Sequence, residues 1–295
     1  MGFWDVTFKL LLRLRPQDLL GLVPGIREGE RLRLVDKELV PPAAPRTLDG
    51  CVELESEGGE GTLYHVEFES TPRSDTALRV FEHFAWAHCA NRGREVRPIV
   101  YYLEPGKEGR EPAECHEAWA DGRKVLDFRF ETVLLWEIEA DELLRRPAPA
   151  LWSVVALAKS AGLGHVEQAR DRIEREVPDE KIRRELYGVL VMVSGTQFDP
   201  ETVRVLVRKE MYMESATYLE AVREGEKKGI QKGHLEGLRE GCQRLARAKL
   251  GTLDPLAEER IAGVGDASVL KALLDEIGAA ADAATVSAAL DRLRK

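Results

Sequence analysis

The run Tyr64-His65-Val66-Glu67-Phe68-Glu69-Ser70 carries acidic residues inside a strand-like pattern. Successive side chains of a β-strand point to opposite faces, so Glu67 and Glu69 share one face while Val66 and Phe68 share the other. Two neighbouring carboxylates repel each other and lose hydration unless a cation lies between them. Oxygen ligands suit Mg²⁺ or Mn²⁺. The run therefore predicts either a strand with a divalent-metal site or an edge strand whose acidic face is solvated.

Hydrophobic periodicity and turn residues predict mixed elements on both sides of this run. Helices are predicted over 3–15, 17–23 and 76–91. Strands are predicted over 31–40, 49–55, 62–70, 98–103, 115–119 and 125–129. The apolar run 98–103 is typical of a central strand. The order of the elements predicts an α/β fold, with a mixed sheet flanked by helices.

The region 139–215 is predicted to be helical, and no chemistry stands out in it. Its separable segments are 151–161, 166–176 and 179–194. Asp179 follows Pro178 and is expected to be a helix N-cap. We expect these helices to pack on the α/β core as an extension.

Five glycines recur at every fourth residue near the C-terminal end: Gly225, Gly229, Gly233, Gly237 and Gly241. A helical glycine costs about 0.8–1 kcal/mol relative to alanine, so propensity alone would not select this pattern. A glycine face on a helix allows a second helix to approach closely. The pattern predicts a helix over 219–249 that pairs with its copy in a homodimer, and a linker is the alternative.

The overall composition fits a soluble globular protein, with 43 basic and 52 acidic residues and a net charge of −9. A negative net charge argues against a protein that binds nucleic acid through its overall charge, but such a protein can still have a local basic groove. The four cysteines have no CxxC spacing, and we find neither a secretory signal nor an apolar membrane span. We expect a cytoplasmic protein without a membrane partner. Phosphate-loop, nucleophile-elbow and dinucleotide motifs are absent from the sequence.

Several short motifs occur in a recognisable order along about the first two-thirds of the chain. They are Asp5-Val6-Thr7-Phe8-Lys9, Val35-Asp36-Lys37-Glu38-Leu39, Leu48-Asp49, Glu67-Phe68-Glu69-Ser70, and Asp75 with Arg79 on a helix. This order resembles the recombination-promoting nuclease / putative transposase family of the PD-(D/E)xK nuclease superfamily. The third catalytic position of the superfamily is usually Lys, and often Gln in this family, whereas it is Glu69 here.

The resemblance implies a metal-dependent DNA endonuclease linked to recombination or mobile elements, with DNA as its partner. It implies Asp49, Glu67 and Glu69 as catalytic residues. It also implies that Asp49, Glu67 and the backbone carbonyl of Phe68 hold Mg²⁺ or Mn²⁺, which would polarise the scissile phosphate and activate a water. Lys9, Arg79 and Glu38 are expected to contact phosphate or support the site, with surface roles as the alternative. For Arg79, a pairing with Glu69 is a further alternative.

The resemblance and the helical patterns together predict four segments. They are a PD-(D/E)xK nuclease-like core over 1–138, a helical extension over 139–215, a glycine-striped helix or linker over 216–249, and a small helical C-terminal domain over 250–295.

Two other functions stay open in the sequence. The first is a degenerate nuclease fold that binds nucleic acid or protein without cleaving, because Glu69 replaces Lys or Gln. The second is an oligomeric scaffold in which the glycine helix is the functional element. A zinc site is not favoured, because the spacings of its candidate ligands fit no tetrahedral motif. Those candidates are His83, His88, Cys89, Cys115 and His116.

Overall fold

The structure, a computed structural model, describes residues 3–23, 32–34, 50–56, 59–106 and 109–294. The chain forms two compact units, Met1–Ala221 and Val222–Lys295. None of the described helices is both long enough and apolar enough to cross a membrane.

The described residues of the first unit form seven strands. They are β1 (Leu32–Leu34), β2 (Gly50–Ser56), β3 (Gly59–Glu69), β4 (Val96–Tyr102), β5 (Cys115–Ala120), β6 (Arg123–Arg129) and β7 (Glu131–Leu134). A five-stranded sheet has the order β1-β2-β3-β4-β7, and β5 and β6 form a separate antiparallel pair. In the larger sheet β1, β2 and β3 run antiparallel, whereas β3, β4 and β7 run parallel.

Among the described residues, nine α-helices lie entirely within the first unit. They are α1 (Phe3–Leu14), α2 (Pro16–Leu20), α3 (Thr76–Ala90), α4 (Ala140–Arg145), α5 (Pro149–Trp152), α6 (Leu163–Glu176), α7 (Glu180–Gln197), α8 (Pro200–Leu206) and α9 (Lys209–Tyr212). The remaining helices are α10 (Ala216–Leu250), α11 (Pro255–Gly263), α12 (Ala267–Ala279) and α13 (Ala283–Asp291). The fold is thus α/β with a mixed sheet flanked by helices and a helical C-terminal part, as predicted.

Aspartate side chains cap the N-termini of many of these helices. Each accepts a hydrogen bond from a backbone N–H of the first turn, which satisfies a donor that has no partner within the helix. The caps are Asp179, Asp199, Asp254, Asp266 and Asp282. The predicted cap at Asp179 is confirmed.

The larger sheet has an apolar core on one face. Val66 and Phe68 of β3 belong to this core with side chains of α1, α2 and α4–α7. Phe8 of α1 packs on Phe68 with 5.1 Å between ring centroids. This face anchors β3 through close-packed apolar side chains.

Helix α3 and the β5–β6 hairpin cover the opposite face. Val80 of α3 and Phe128 of β6 share an apolar cluster with Val100 of β4. The hairpin turns at Asp121 and Gly122, which both have positive φ, as a two-residue turn between strands of this twist requires. Both faces of β3 are covered, and β2 and β4 pair with its two edges, so β3 is an interior strand.

Most predicted elements of the first 130 residues are confirmed: α1, α3, the β2–β3 hairpin, the central strand β4 and the β5–β6 pair. The predicted helix 151–161 is wrong. The chain there forms the short helix α5, then a 3₁₀ turn over Val155–Leu157. Strand β7 was not predicted. Of the predicted strand 31–40, the structure describes Leu32–Leu34.

In the second unit, α11, α12 and α13 pack with the C-terminal part of α10. Their core includes Cys242, Ile261, Leu270, Ile277 and Val286. The predicted helix over 219–249 is confirmed, since α10 runs from Ala216 to Leu250.

Candidate carboxylate–histidine site

Strand β3 and helix α3 bring five polar side chains together on the α3 face of the sheet. The members of this carboxylate–histidine cluster are His65, Glu67 and Glu69 of β3 and Arg79 and His83 of α3. Alternate residues of a strand share a face, and residues four apart on a helix share a face. The period of each element places its own members on one face, and packing of α3 on β3 brings the two faces together.

Glu67 is the centre of the cluster. Its Oε1 atom accepts a hydrogen bond from His65 Nε2 at 2.8 Å and another from His83 Nδ1 at 2.8 Å. An ionised carboxylate only accepts hydrogen bonds, so both of these ring nitrogens must carry the donated protons. The second oxygen of Glu67 lies 3.9 Å from Arg79 Nη1.

Burial alone would raise the pKa of Glu67, because a low-dielectric surrounding disfavours the charged form. The hydrogen bonds and charge interactions from His65 and His83 outweigh burial and hold the pKa of Glu67 far below its usual range. Glu67 is therefore ionised at neutral pH although it is 1% exposed.

Glu69 forms an ion pair with Arg79 through its Oε1 atom. The Glu69 residue is 4% exposed, whereas the Arg79 side chain is 32% exposed. The guanidinium thus lies between the buried carboxylates and solvent. The edge-strand alternative for Glu67 and Glu69, with a solvated acidic face, is wrong.

Of the other predicted site residues, the structure describes Phe68 and Lys9. Phe68 points to the apolar core, and Lys9 belongs to α1, the helix that packs on that same core face. Asp49 and Glu38 lie outside the described residues, as does Asp36. Gly50, the residue after Asp49, pairs with Val66, the residue before Glu67.

The sequence reading missed His65 and His83 as members of the site. Both have a signal in the sequence: His65 is two residues before Glu67 on a strand, and His83 is four residues after Arg79 on a helix. Of the former zinc candidates, His88 and Cys89 are exposed on α3. His116 instead lies against Phe81, with 5.6 Å between ring centroids.

No protein-family model matches the chain, and neither the curated proteins nor the solved structures contain a match to it.

Proposed function

We propose that this protein is a metal-dependent DNA endonuclease that acts in recombination or in mobile elements, in the cytoplasm. The observation that carries the proposal is the pair of buried carboxylates, Glu67 and Glu69, on an interior strand beside the guanidinium of Arg79. The order of elements adds support: helix, antiparallel strands, helix and a parallel strand. This is the order that the family resemblance implies.

The donor atoms of the site fit a divalent cation. The carboxylates of Glu67 and Glu69 offer oxygen ligands, and Asp49 is the further carboxylate that the resemblance implies. Such a cation would supply Lewis-acid polarisation of a phosphate and would lower the pKa of a bound water. Mn²⁺ suits the nearby imidazoles as well as the carboxylates, whereas Mg²⁺ prefers oxygen alone.

Arg79 has a separate role in this proposal. It is the most exposed member of the cluster, and a guanidinium binds phosphate oxygens in the same bidentate manner as it binds a carboxylate. When Arg79 moves from Glu69 to a phosphate, it would uncover the buried carboxylates and orient the DNA backbone above them.

The test is cleavage of supercoiled plasmid by purified protein with Mg²⁺ or Mn²⁺. We expect nicking or cleavage that disappears in Glu67→Gln and Asp49→Asn and in excess chelator. Glu131→Gln, at an exposed strand glutamate on β7, is the matched control and should keep activity. Equal activity of wild type and Glu67→Gln, or activity in chelator, contradicts the site.

A second function is favoured by a specific observation: the protein neutralises its own carboxylates. Arg79 pairs with Glu69, and two imidazoles hold Glu67. A degenerate nuclease fold that binds nucleic acid or protein without cleaving fits this arrangement. That reading predicts that wild type and Glu67→Gln bind DNA equally, with no cleavage by either.

The proposal includes a homodimer formed through α10. A Cβ atom placed on any of the first four glycines of the stripe would meet no described atom within 4 Å, whereas one on Gly241 would lie 3.5 Å from Leu274. Ile230 is 73% exposed and lies on the side of Gly233 and Gly237, three and seven residues further on. This open face of small and apolar residues suits close approach of a second copy.

A further inference from the structure

We propose that His65, Glu67 and His83 form a site for a transition-metal dication of the Mn²⁺, Fe²⁺ or Zn²⁺ class, and that this site prefers such ions to Mg²⁺. The inference goes beyond the proposed function, because a metal held by these three side chains needs no DNA and no cleavage.

The three ligand atoms determine which class of metal ion the site would prefer. His65 Nε2, Glu67 Oε1 and His83 Nδ1 all lie within 4.8 Å of one another, and all three residues are buried. Ligands about 2.0–2.2 Å from a common ion lie roughly 3–3.5 Å apart, so small rotations of the rings would admit one ion. Two imidazoles and one carboxylate suit Zn²⁺ and Fe²⁺, whereas Mg²⁺ takes oxygen ligands and keeps its waters.

The charges of the cluster favour a bound cation. Glu67 and Glu69 supply two negative charges, whereas Arg79 supplies one positive charge. Buried negative charge is costly, and a metal ion would offset it. A metal ion would also replace two hydrogen bonds to Glu67 by stronger coordination.

Metal binding requires a proton shift at each ring. The nitrogens that face Glu67 must offer lone pairs to the ion, so the proton moves to the other ring nitrogen or to solvent. In His65 the other nitrogen, Nδ1, is buried and has no hydrogen-bond partner among the described residues. Coordination must outweigh that cost, and His83, which is 8% exposed, is the ligand nearer to solvent.

The test uses metal-stripped full-length protein titrated with Co²⁺ alone and then with Zn²⁺ in competition. Co²⁺ bound to nitrogen ligands in a site of low coordination number absorbs visible light. We expect one equivalent of Co²⁺ to bind with such a spectrum and Zn²⁺ to displace it. A large excess of Mg²⁺ should leave it in place.

Matched variants distinguish this site from surface binding. His83→Gln keeps a donor for Glu67 but removes the imidazole, and should weaken Co²⁺ binding at least about tenfold. His88→Gln, an exposed histidine of the same helix, should bind as wild type does. Thermal unfolding of each variant reports whether it folds.

Three results would overturn the inference: no stoichiometric Co²⁺ spectrum, unchanged binding in His83→Gln, or displacement of Co²⁺ by Mg²⁺. The outcome is independent of the nuclease assay. Plasmid cleavage with Mg²⁺ but no Co²⁺ spectrum would reject the metal class and keep the proposed function. A Co²⁺ spectrum without plasmid cleavage would keep the metal site and reject the proposed nuclease function.

Discussion

Arg79 lies between solvent and the two buried carboxylates of β3, Glu67 and Glu69. Its ion pair with Glu69 and its approach to Glu67 are the described contacts that offset two negative charges. Removing one partner of a buried pair leaves an unpaired charge, which costs more than the pair itself gains. The guanidinium is therefore expected to matter for folding as well as for the proposed phosphate contact.

We expect Arg79→Met to lower the free energy of unfolding by about 1–3 kcal/mol, because Glu69 keeps its charge and loses its partner. The double variant Arg79→Met/Glu69→Met should recover part of that loss, since it removes both charges. Urea unfolding of the wild type, both single variants and the double variant measures the coupling. Additive effects in this cycle would mean that the ion pair carries no stability.

Glu69 stands at the position where the superfamily that the sequence resembles usually has Lys. If the proposed function holds, we expect Glu69→Gln to keep or raise plasmid cleavage, because the family that the sequence resembles often has Gln here and the loss of charge relieves repulsion with Glu67. In that variant, Glu67 would be the remaining negatively charged neighbour of Arg79 in the cluster. Glu69→Lys should fold less well, because it sets a second cation against Arg79.

The assay compares initial cleavage rates of wild type and Glu69→Gln at equal protein concentration, with unfolding curves as the control for folding. If Glu69→Gln abolishes a measurable wild-type rate while it stays folded, then Glu69 is a specific ligand or base.

At the level of residues, the sequence predicted the shared face of Glu67 and Glu69 and a pairing of Arg79 with Glu69 as one of its alternatives. It did not predict that two histidines complete the cluster. A strand period places His65 beside Glu67, but only tertiary packing of α3 on β3 brings His83 within 2.8 Å of the same oxygen. That packing has no local signal.

Among the elements, α10 has an unusual N-terminus, because a side chain from another helix caps it. Glu185 of α7 accepts hydrogen bonds from Ser215 Oγ at 2.8 Å, from Ala216 N at 2.8 Å and from Thr217 N at 3.2 Å. The two helices approach closely at Gly188, where a Cβ atom would meet the side chain of Ser215. A negative charge at a helix N-terminus is favourable.

We expect Glu185→Gln to lower the free energy of unfolding by about 1–3 kcal/mol at pH 7, because the charged acceptor is lost. Burial would raise the pKa of Glu185, but the hydrogen bonds from Ala216, Ser215 and Thr217 outweigh it, so the pKa is lowered. A lowered folded-state pKa means that this stability is present above the unfolded pKa and is lost as pH falls through the folded pKa.

The difference between wild type and Glu185→Gln should thus be constant from about pH 6 to 8 and shrink below about pH 4. Urea unfolding across this range measures it. Glu180→Gln is the control, since Glu180 lies on the same helix and its described ion pair with Arg184 is exposed. A difference that grows toward acid pH would contradict the assignment.

Elements with a clear period were predictable, and elements without one were not. Residues 148–158 are all buried, so an amphipathic pattern could not separate α5 and the 3₁₀ turn from one continuous helix. Strand β7 is four residues long and begins with an exposed glutamate, which left too little alternation to identify it.

At the scale of the whole molecule, the glycine face of α10 decides between a dimer and a monomer. Leucines at Gly229, Gly233 and Gly237 should split the proposed dimer because their side chains block close approach. Alanines should have a smaller effect, and in a monomer they would stabilise the helix by about 0.8–1 kcal/mol each. Sedimentation velocity at micromolar concentration measures the state of each variant.

Gly164→Leu provides the control, because Gly164 is a helical glycine of α6 that also has open space around a Cβ atom. The Gly164→Leu variant should stay dimeric. A monomeric wild type, or a dimer that survives the three leucines, would assign the stripe to another role.

The division into four segments remains a prediction, whereas compactness divides the chain once, after Ala221. A helix such as α10 has the same local pattern on either side of that point. Sequence periodicity therefore could not place the boundary, which depends on which side chains share a core.

The alternation of faces along β3 has a consequence for mutational scanning. Tyr64, Val66 and Phe68 belong to the apolar core, whereas His65, Glu67 and Glu69 face His83 and Arg79 of α3. Saturation mutagenesis read out twice, once for cellular abundance and once for DNA cleavage, should give two maps that are out of phase by one residue. Positions whose loss of cleavage exceeds their loss of abundance should recur at every second residue and end at Glu69.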